Sequence, residues 1–566
     1  MIISKPVLGE SQLKFRLDLV SRRMRSYPLD NIDFLLMDLQ RPRDSSRQAD
    51  WWTGDLSGRT LEFLSCASGI DSQSDNLVHE LFERIIQFRR PSGLVGKFAC
   101  AFEPIAHEDH LFANCDRLFA GLIRYYELTN DERALDCAVG IGNWHVKNKD
   151  KWAKFLKPGF QAIQLWVTEP LAMLYKHTGN EEYLEICGII SDSLTNLKGW
   201  HSHGLMSTLR GLQKAALFSN DLSWNEKPER FRREIIDSGY ELPDGGISEC
   251  FPRSFRNEGC SIADWLMLNL YSGLLGTSTE AYEKAQHIFW NALSFNQFIN
   301  GGFGHRDLIS DGYAKGVLSE CWWCCTEHCG MAMTELARHV VTMRDNKLSI
   351  NFLFPGEYSL ACEKYIIKVR IESQYPSRAA SQIHIEGLSP SVVVNVALPG
   401  FIKQGSVDQK RSGLNTDINI QGFIGHTVEQ KGDGYLLKYG PAILAPMIYY
   451  WQDSNRLEII NDSSSVPKGY IPAFLPEGRP TLLLPQVCSN GLLELSKYRP
   501  SPKPEWTFFE EGLLAKTAIP GATVNIWCRF KNGQEIPLQF NALCQNTSDM
   551  TYYDVPIVFR NWLQAD

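Results

Sequence analysis

The 566-residue sequence has no uninterrupted apolar run near the ~20 residues that cross a bilayer. The closest stretch, Gly440 to Tyr450, is broken by two prolines. It also has no basic run, and 57 Lys and Arg against 65 Asp and Glu leave a formal charge of −8. That balance argues against capture of nucleic acid or an anionic membrane and favours a neutral ligand. The N-terminus, Met1 to Glu10, lacks the basic start and long apolar segment of a secretory signal. The expectation is a cytoplasmic protein, or one trimmed of a periplasmic leader. No low-complexity linker interrupts the chain, so its parts are expected to pack firmly together. Cysteine is plentiful, but its count of 15 is odd and spread over a long chain. Buried, reduced thiols are expected in place of a disulfide frame.

The length suggests three or four domains of about 150 residues, or fewer if one is a repeat. From about residue 9 to 345 the apolar period is helical: Leu118, Phe119, Leu122, Ile123 and Tyr126 fall on one face, as do Leu77, Val78, Leu81, Phe82 and Ile85. Joints between helices recur. In the stretches 125–135, 174–184 and 270–282, an aromatic residue ends one helix, the chain turns through Gly, Asn, Thr or Ser, and an acidic first turn begins the next. The aromatic positions Tyr126, Tyr175 and Tyr271 are spaced by 49 and 96 residues, or one helical hairpin per ~48 residues. Spacing permits an open solenoid or a closed ring. Closure is expected, because the reactive residues lie at helix starts and loops, which a ring gathers around one cavity. After Arg344-Asp345 the texture becomes short β-branched or alternating segments such as Tyr365–Ile371, Gln382–Glu386 and Val392–Leu398. The expected division is a helical catalytic domain over 1–345, a β-sandwich over 346–460, and over 461–566 a second sandwich or a continuation of the first, with a seam near 461–467.

Four thiols, an imidazole and two indoles crowd into Cys321 to Cys329. Adjacent Cys324 and Cys325 suit a poor disulfide but a good soft-metal site. Such a site draws ligands from a second place, and Glu258-Gly259-Cys260 offers one. There, Ser261 to Asp264 reads as a capping-box start for a helix from Trp265 to Leu275, leaving Glu258 and Cys260 in the preceding loop. Cys324 and Cys325 sit ahead of a helix expected from about Glu327 to Val341, whose N-terminus favours a thiolate. Alternatives are a Cys321–Cys324 redox pair and a structural zinc knob of Cys321, Cys324, Cys325 and Cys329. His328 and Cys329 read as inward-facing helix residues. The tryptophan pairs Trp51-Trp52 and Trp322-Trp323 serve either as sugar platforms or as core.

A Glu-x-Cys before one helix and a Cys-Cys pair before another some sixty residues later resembles the zinc-dependent, cysteine-nucleophile β-L-arabinofuranosidases of glycoside hydrolase family 127. Asp55-Leu-Ser-Gly58-Arg59, His203-Gly-Leu-Met, Gly245-Gly246-Ile247, Leu348 to Pro355 and Tyr439-Gly440-Pro441 carry the resemblance along the chain. It implies an (α/α)6 barrel followed by antiparallel β-sandwich domains. It also implies zinc held by Glu258, Cys260, Cys324 and Cys325, with Cys324 as nucleophile. The implied function is a retaining glycoside hydrolase that releases a terminal furanoside, most simply β-L-arabinofuranose, from plant-type glycans through a thioglycosyl intermediate. A family member acting on another sugar, a non-catalytic carbohydrate-binding protein with a structural zinc, and a hydrolase or lyase using carboxylates alone are the competing readings. The partner is an oligosaccharide or glycoside; the oligomeric state is not legible.

A retaining glycosidase also needs an acid/base carboxyl. Glu249, nine residues before Glu258 and closer than the family's usual spacing, is the choice, with Glu241, Asp244 and Glu320 as substitutes. Its apolar followers Cys250-Phe251-Pro252 favour a raised pKa provided that Arg253 and Arg256 point away, which is the expectation. His203, Trp322 and Trp323 are expected to contact substrate. Where the family carries two more histidines, this chain has Arg117 and Gln164, which points to a different sugar.

Overall fold

The computed structural model describes residues 2–40, 53–68, 70, 76–96, 116–150, 152, 166–252, 256–276, 280–298, 300–307, 313–315, 317–362, 365–431, 434–446, 481–484, 518–529, 535–545, 554–557 and 563–564. Of the sequence expectations, Trp51, Trp52, Gln164, Arg253 and the 461–467 seam lie outside them.

Six helices are buried over most of their length: α1 (Asp55–Ala67), α2 (Asp116–Thr129), α3 (Thr168–Thr178), α4 (Ser202–Ser219), α5 (Gly259–Leu274) and α6 (Cys325–Arg338). A helix buried on nearly every side must be surrounded by others. Each of these packs on the next, and α6 returns to α1, so the ring closes. The helices Asn76–Ile85, Glu132–Lys147, Glu182–Ser193, Glu226–Asp237 and Glu280–Ile288 follow the first five around the outside, and Gln12–Met24 backs α6. They bury one stripe only, such as Val78, Leu81, Phe82 and Ile85. The joints use the left-handed residues Asn130, Gly179, Asn220 and Gly276, which end one helix and let the chain reverse. The expected (α/α)6 barrel is therefore present. No described helix is long and apolar enough to cross a membrane.

Two starts are drawn unusually close. A Cβ on Gly58 of α1 would lie 2.2 Å from the backbone nitrogen of Leu118, so only glycine lets α1 meet the start of α2. Below the helix starts the axis is filled with paired charge. Asp264 accepts from Arg210, and Arg210 and Lys214 both hold Glu169; Arg124 and the Tyr271 hydroxyl, each at 3.0 Å, hold Glu335.

After the barrel come mainly antiparallel sheets, with one parallel pair, Lys347–Ile350 and Val393–Val396. The six-stranded sheet runs in the order Lys403–Ser412, Asn415–Phe423, Ser381–Glu386, Ile366–Ser373, Gly356–Ala361 and Lys5–Leu8. A four-stranded sheet pairs Ile2–Ile3 with Val341–Arg344, followed by Lys347–Ile350 and Val393–Val396. The first eight residues thus belong to the sheets that follow the barrel. Barrel and sheets share a core: Asn291 donates to the Pro441 carbonyl at 3.0 Å and accepts from the Ile443 amide at 2.7 Å, and Trp290 packs near Phe354 and Tyr375. Arg16, 2 % exposed, reaches the carbonyls of Ser294 at 3.1 Å and Cys544 at 2.5 Å and the Gln297 side chain at 3.2 Å.

Candidate active site and metal centre

The first turns of the inner helices converge, and the expected residues gather there. α5 begins at Gly259 with Glu258 as its N-cap, which corrects the expected start at Trp265. Gly259 explains the earlier start: its hydrogen faces Cys329 Sγ and Cys325 Cβ, where a Cβ would sit at 2.9 and 3.1 Å. Cys260 consequently lies in the first turn. Asp264 does not cap; it is wholly buried and accepts from His203, His328 and Arg210. α6 begins at Cys325 with Cys324 as N-cap and ends at Arg338, so both cysteines stand at the positive end of a four-turn helix.

The sulfurs of Cys260, Cys324 and Cys325 lie within 4.8 Å of one another, with Cys260–Cys325 and Cys324–Cys325 both at 3.6 Å. A tetrahedral ion with metal–sulfur bonds of about 2.3 Å separates its sulfurs by about 3.8 Å. Glu258 has an oxygen within 4.8 Å of Cys260 Sγ, so the three sulfurs could hold one small cation and Glu258 stands beside them. Without a cation, hydrogen bonds from Cys260 and Cys325 outweigh burial and hold the Cys324 thiol well below its usual range. Burial pushes Cys260 and Cys325 up. Cys321 lies with His305 and Cys325 in a neighbouring group, and His305 Nε2 is 3.3 Å from Glu258. Burial opposes a charge on His305, yet Cys321 and Glu258 prevail and raise it to about 11. His328 and Cys329 face inward as expected.

Glu249 lies on the hairpin that docks on the start of α4: its amide donates to the Arg256 carbonyl at 2.9 Å, and its carbonyl accepts from the Ser202 amide at 2.8 Å. His201, the N-cap of α4, turns Nε2 toward Glu249 at 3.8 Å and Glu258 at 3.5 Å. Glu249 therefore stands beside Glu258 and the sulfur cluster. Arg256 does not point away: it grips the Glu249 carboxylate with two hydrogen bonds of 2.6 and 2.5 Å, correcting that expectation. Burial favours the neutral acid, but His201 and Arg256 outweigh it and bring the group down to about 2. The substitutes are occupied elsewhere: Glu320 by Arg23 at 2.6 Å, Glu241 by Lys284 at 2.5 Å, and Asp244 by the Gly246 amide at 2.9 Å.

His203 is buried with both ring nitrogens engaged. Nδ1 donates to Asp264, so Nε2 accepts from Arg117 at 2.9 Å. Trp166, just ahead of α3, lies 4.2 Å from the Arg117 guanidinium and 5.0 Å from that of Arg59. Trp322 packs against Phe34 and edge-on to Trp323, both indoles half-buried beside Cys324. Sequence reading missed His201, His305, Trp166 and Glu327. Glu327 is wholly buried, and neither carboxylate oxygen is hydrogen-bonded among the described residues. Its signal was the position two residues beyond the cysteine pair, which places it in the first turn of α6.

Residues 52–253 match the family model "Beta-L-arabinofuranosidase, GH127 catalytic domain". No curated protein matches the chain in sequence. Among solved structures, "The GH127, Beta-arabinofuranosidase, BT3674" superposes with a TM-score of 0.68 at 13% identity, covering 99% of this chain and 98% of that one. The selenium derivative of Ara127N, a GH127 β-L-arabinofuranosidase from Geobacillus stearothermophilus T6, gives 0.68 at 11% identity over 99% and 100%. A structure titled "Glycoside hydrolase" gives 0.65 at 11% identity over 100% and 98%. The full-length superpositions share the barrel-plus-sheet fold, and the segment 52–253 is similar to the catalytic domain of glycoside hydrolase family 127, which marks the chain as a glycoside hydrolase.

Proposed function

We propose that this glycoside hydrolase is a zinc-dependent retaining furanosidase of the β-L-arabinofuranosidase type, with Cys324 as nucleophile. The carrying observation is the set of three sulfurs, two pairs of them 3.6 Å apart, at the starts of two helices with Glu258 alongside. Glu258, Cys260, Cys324 and Cys325 would hold the ion. Zinc there would keep the thiol ionised and make the sulfur a better leaving group. The β-arabinofuranosidase activity named for two structurally similar proteins supports the sugar.

Cys324 Sγ attacks the anomeric carbon, the carbon–oxygen bond to the leaving group breaks, and that oxygen takes a proton. Water then attacks the same carbon, the carbon–sulfur bond breaks, and the two displacements retain the configuration. Glu249 is the base: its pairing with Arg256 keeps it ionised, the form that accepts a proton from the attacking water. His201, between Glu249 and Glu258, is the acid that gives its proton to the leaving-group oxygen in the first step, and it recovers that proton from Glu249 after the second. Trp322 and Trp323 supply the aromatic wall beside the nucleophile. The test is metal analysis of the full-length protein together with turnover of 4-nitrophenyl β-L-arabinofuranoside. One zinc per chain and hydrolysis with retention are expected; zinc without turnover across a furanoside panel would reduce the metal to a staple.

A further inference from the structure

His305, Cys321 and Cys325 form a second group of metal-ligating atoms, all within 4.8 Å of one another, and Cys325 also belongs to the group with Cys260 and Cys324. Three different elements bring the second group together. His305 lies on the strand Gly304–Asp307, in register with Glu258 across the ladder, so the two side chains rise from one face and Glu258 Oε2 stands 3.3 Å from His305 Nε2. Cys321 is tied to that sheet and to α6 at once: its amide donates to the Phe303 carbonyl at 2.7 Å, and its carbonyl accepts from the Cys324 and Thr326 amides at 3.2 and 3.3 Å. Cys325 is the first residue of α6. Both cysteines are 0 % exposed, and His305 Nε2 is buried with no hydrogen-bond partner among the described residues.

The donors here outnumber the places on one ion. Glu258, Cys260, Cys324 and Cys325 fill a four-coordinate zinc, which leaves Cys321 and His305 beside it. An ion bonded to nitrogen and sulfur at about 2.0 to 2.3 Å draws such atoms to about 3.5 to 3.8 Å apart, so a small movement of side chains closes the second group on an ion of its own. A thiolate keeps lone pairs beyond the one it gives to the first ion, and Cys325 can therefore serve both. Charge points the same way. Cys260, Cys321, Cys324, Cys325 and Glu258 are all acidic groups, and Glu327 in the same first turn is another. The cations that face them are Arg59, His201 and Arg256, of which Arg59 is shared with Asp55 and Arg256 with Glu249. One divalent ion meets two of these negative charges, and a second meets two more.

We propose that His305, Cys321 and Cys325 hold a second, weaker cation of the soft divalent class, with Cys325 shared between two ions and Glu258 Oε2 as the fourth donor. The proposal rests on the zinc reading above for the first ion and adds to it. The second site is the weaker because the sulfur it shares is already drawn on by the first ion. With both ions in place Cys325 is held twice and Cys324 once, which leaves Cys324 the freer thiolate for attack on a sugar.

The test starts from the full-length protein as isolated, with one zinc, a phosphine reductant and Co2+ as the probe. One further equivalent of cobalt should bind with the zinc retained, and bring a thiolate-to-cobalt charge-transfer band in the near ultraviolet. Cobalt on exposed histidines or carboxylates brings no such band. Cys321→Ser and His305→Gln should each keep the first zinc and the native melting curve while weakening cobalt binding at least about 10-fold, a loss that even an outer partner of a metal ligand produces. With cobalt in both sites, the paramagnetic resonance signal per ion should fall as the second enters, because spins couple through a shared sulfur. The proposal is overturned if cobalt adds no charge-transfer band, if the band appears only as zinc is displaced, or if both variants leave it unchanged. A resonance signal that grows in proportion to cobalt removes the shared sulfur and overturns it too. Should one variant fail to fold, the other variant and the resonance of the native protein decide. Turnover of 4-nitrophenyl β-L-arabinofuranoside separates the two claims. A cobalt band that depends on Cys321 and His305, in a protein that hydrolyses no furanoside, keeps the second site and sinks the hydrolase reading. Hydrolysis by a one-zinc protein that takes up no further thiolate-bound ion does the reverse.

Discussion

Along the strand Ile366–Ser373 burial alternates: Ile367, Val369 and Ile371 are inside while Lys368, Arg370 and Glu372 face water. At the start of α1, Asp55, Ser57, Arg59, Thr60 and Glu62 are all buried. The sheet stores its stability in apolar area and keeps charge outside, where screening makes each pair worth little. The barrel end carries charge into the interior, where it must be matched group by group and an unmatched group is costly. Substitutions in the sheet should therefore register as stability, and those at the helix starts as chemistry or as dependence on pH.

The largest effect should come from the proposed nucleophile. Cys324→Ser should lower kcat by at least about 10³-fold, since an alcohol is a far weaker nucleophile than a thiolate, while the melting curve stays within a few degrees of native; loss of the fold in step with activity would erase the contrast. Next, Ile371→Ala, 2 % exposed, should cost about 2 to 5 kcal/mol in denaturant unfolding without moving kcat. Glu335 follows. Burial opposes its charge, but Arg124 and Lys214 outweigh burial and lower it to about 2. A depressed carboxylate contributes stability above its unfolded pKa and loses it as pH falls through the folded one. Glu335→Gln should thus be less stable than native by up to about 3 kcal/mol at pH 7, with the gap closing between pH 4.5 and 2; a gap independent of pH would deny the pairing. Gly58→Ala should cost about 1 to 3 kcal/mol by overpacking two backbones. Smallest is the exposed His384–Asp417 pair at 2.6 Å: Asp417→Asn should shift stability by less than about 1 kcal/mol, less still in high salt.

The legible parts of the sequence were those governed by local rules. The recurring joints declared the hairpins, the alternating segments declared the sheets, and the cysteine pair with Glu258-Gly259-Cys260 declared the cluster of sulfurs at the helix starts. Where two local rules competed, reading was less certain: Ser261 and Asp264 spell a cap, yet close packing at Gly259 starts the helix earlier and frees Asp264 for an ionic hub. Partnerships across the ring left no local trace. Nothing near Glu249 shows that Arg256 will turn back onto it, that His201 will reach both it and Glu258, or that Trp166 will lie against two arginines. The strand Lys5–Leu8 pairs with Gly356–Ala361, a contact that no window of neighbouring residues contains.

Arg16 carries a consequence for the order of synthesis. Its guanidinium is buried on neutral oxygens, the shortest contact being the carbonyl of Cys544, and no carboxylate among the described residues neutralises it. A chain emerging from the ribosome completes all six inner helices long before it reaches Cys544. Until then the helix Gln12–Met24 holds a cation whose seat is unfinished, and a buried cation without its full set of acceptors is held back from docking by the cost of leaving water. The oldest helix of the nascent chain thereby docks with its full set of acceptors only once one of the youngest segments has arrived, although the inner ring can close before it.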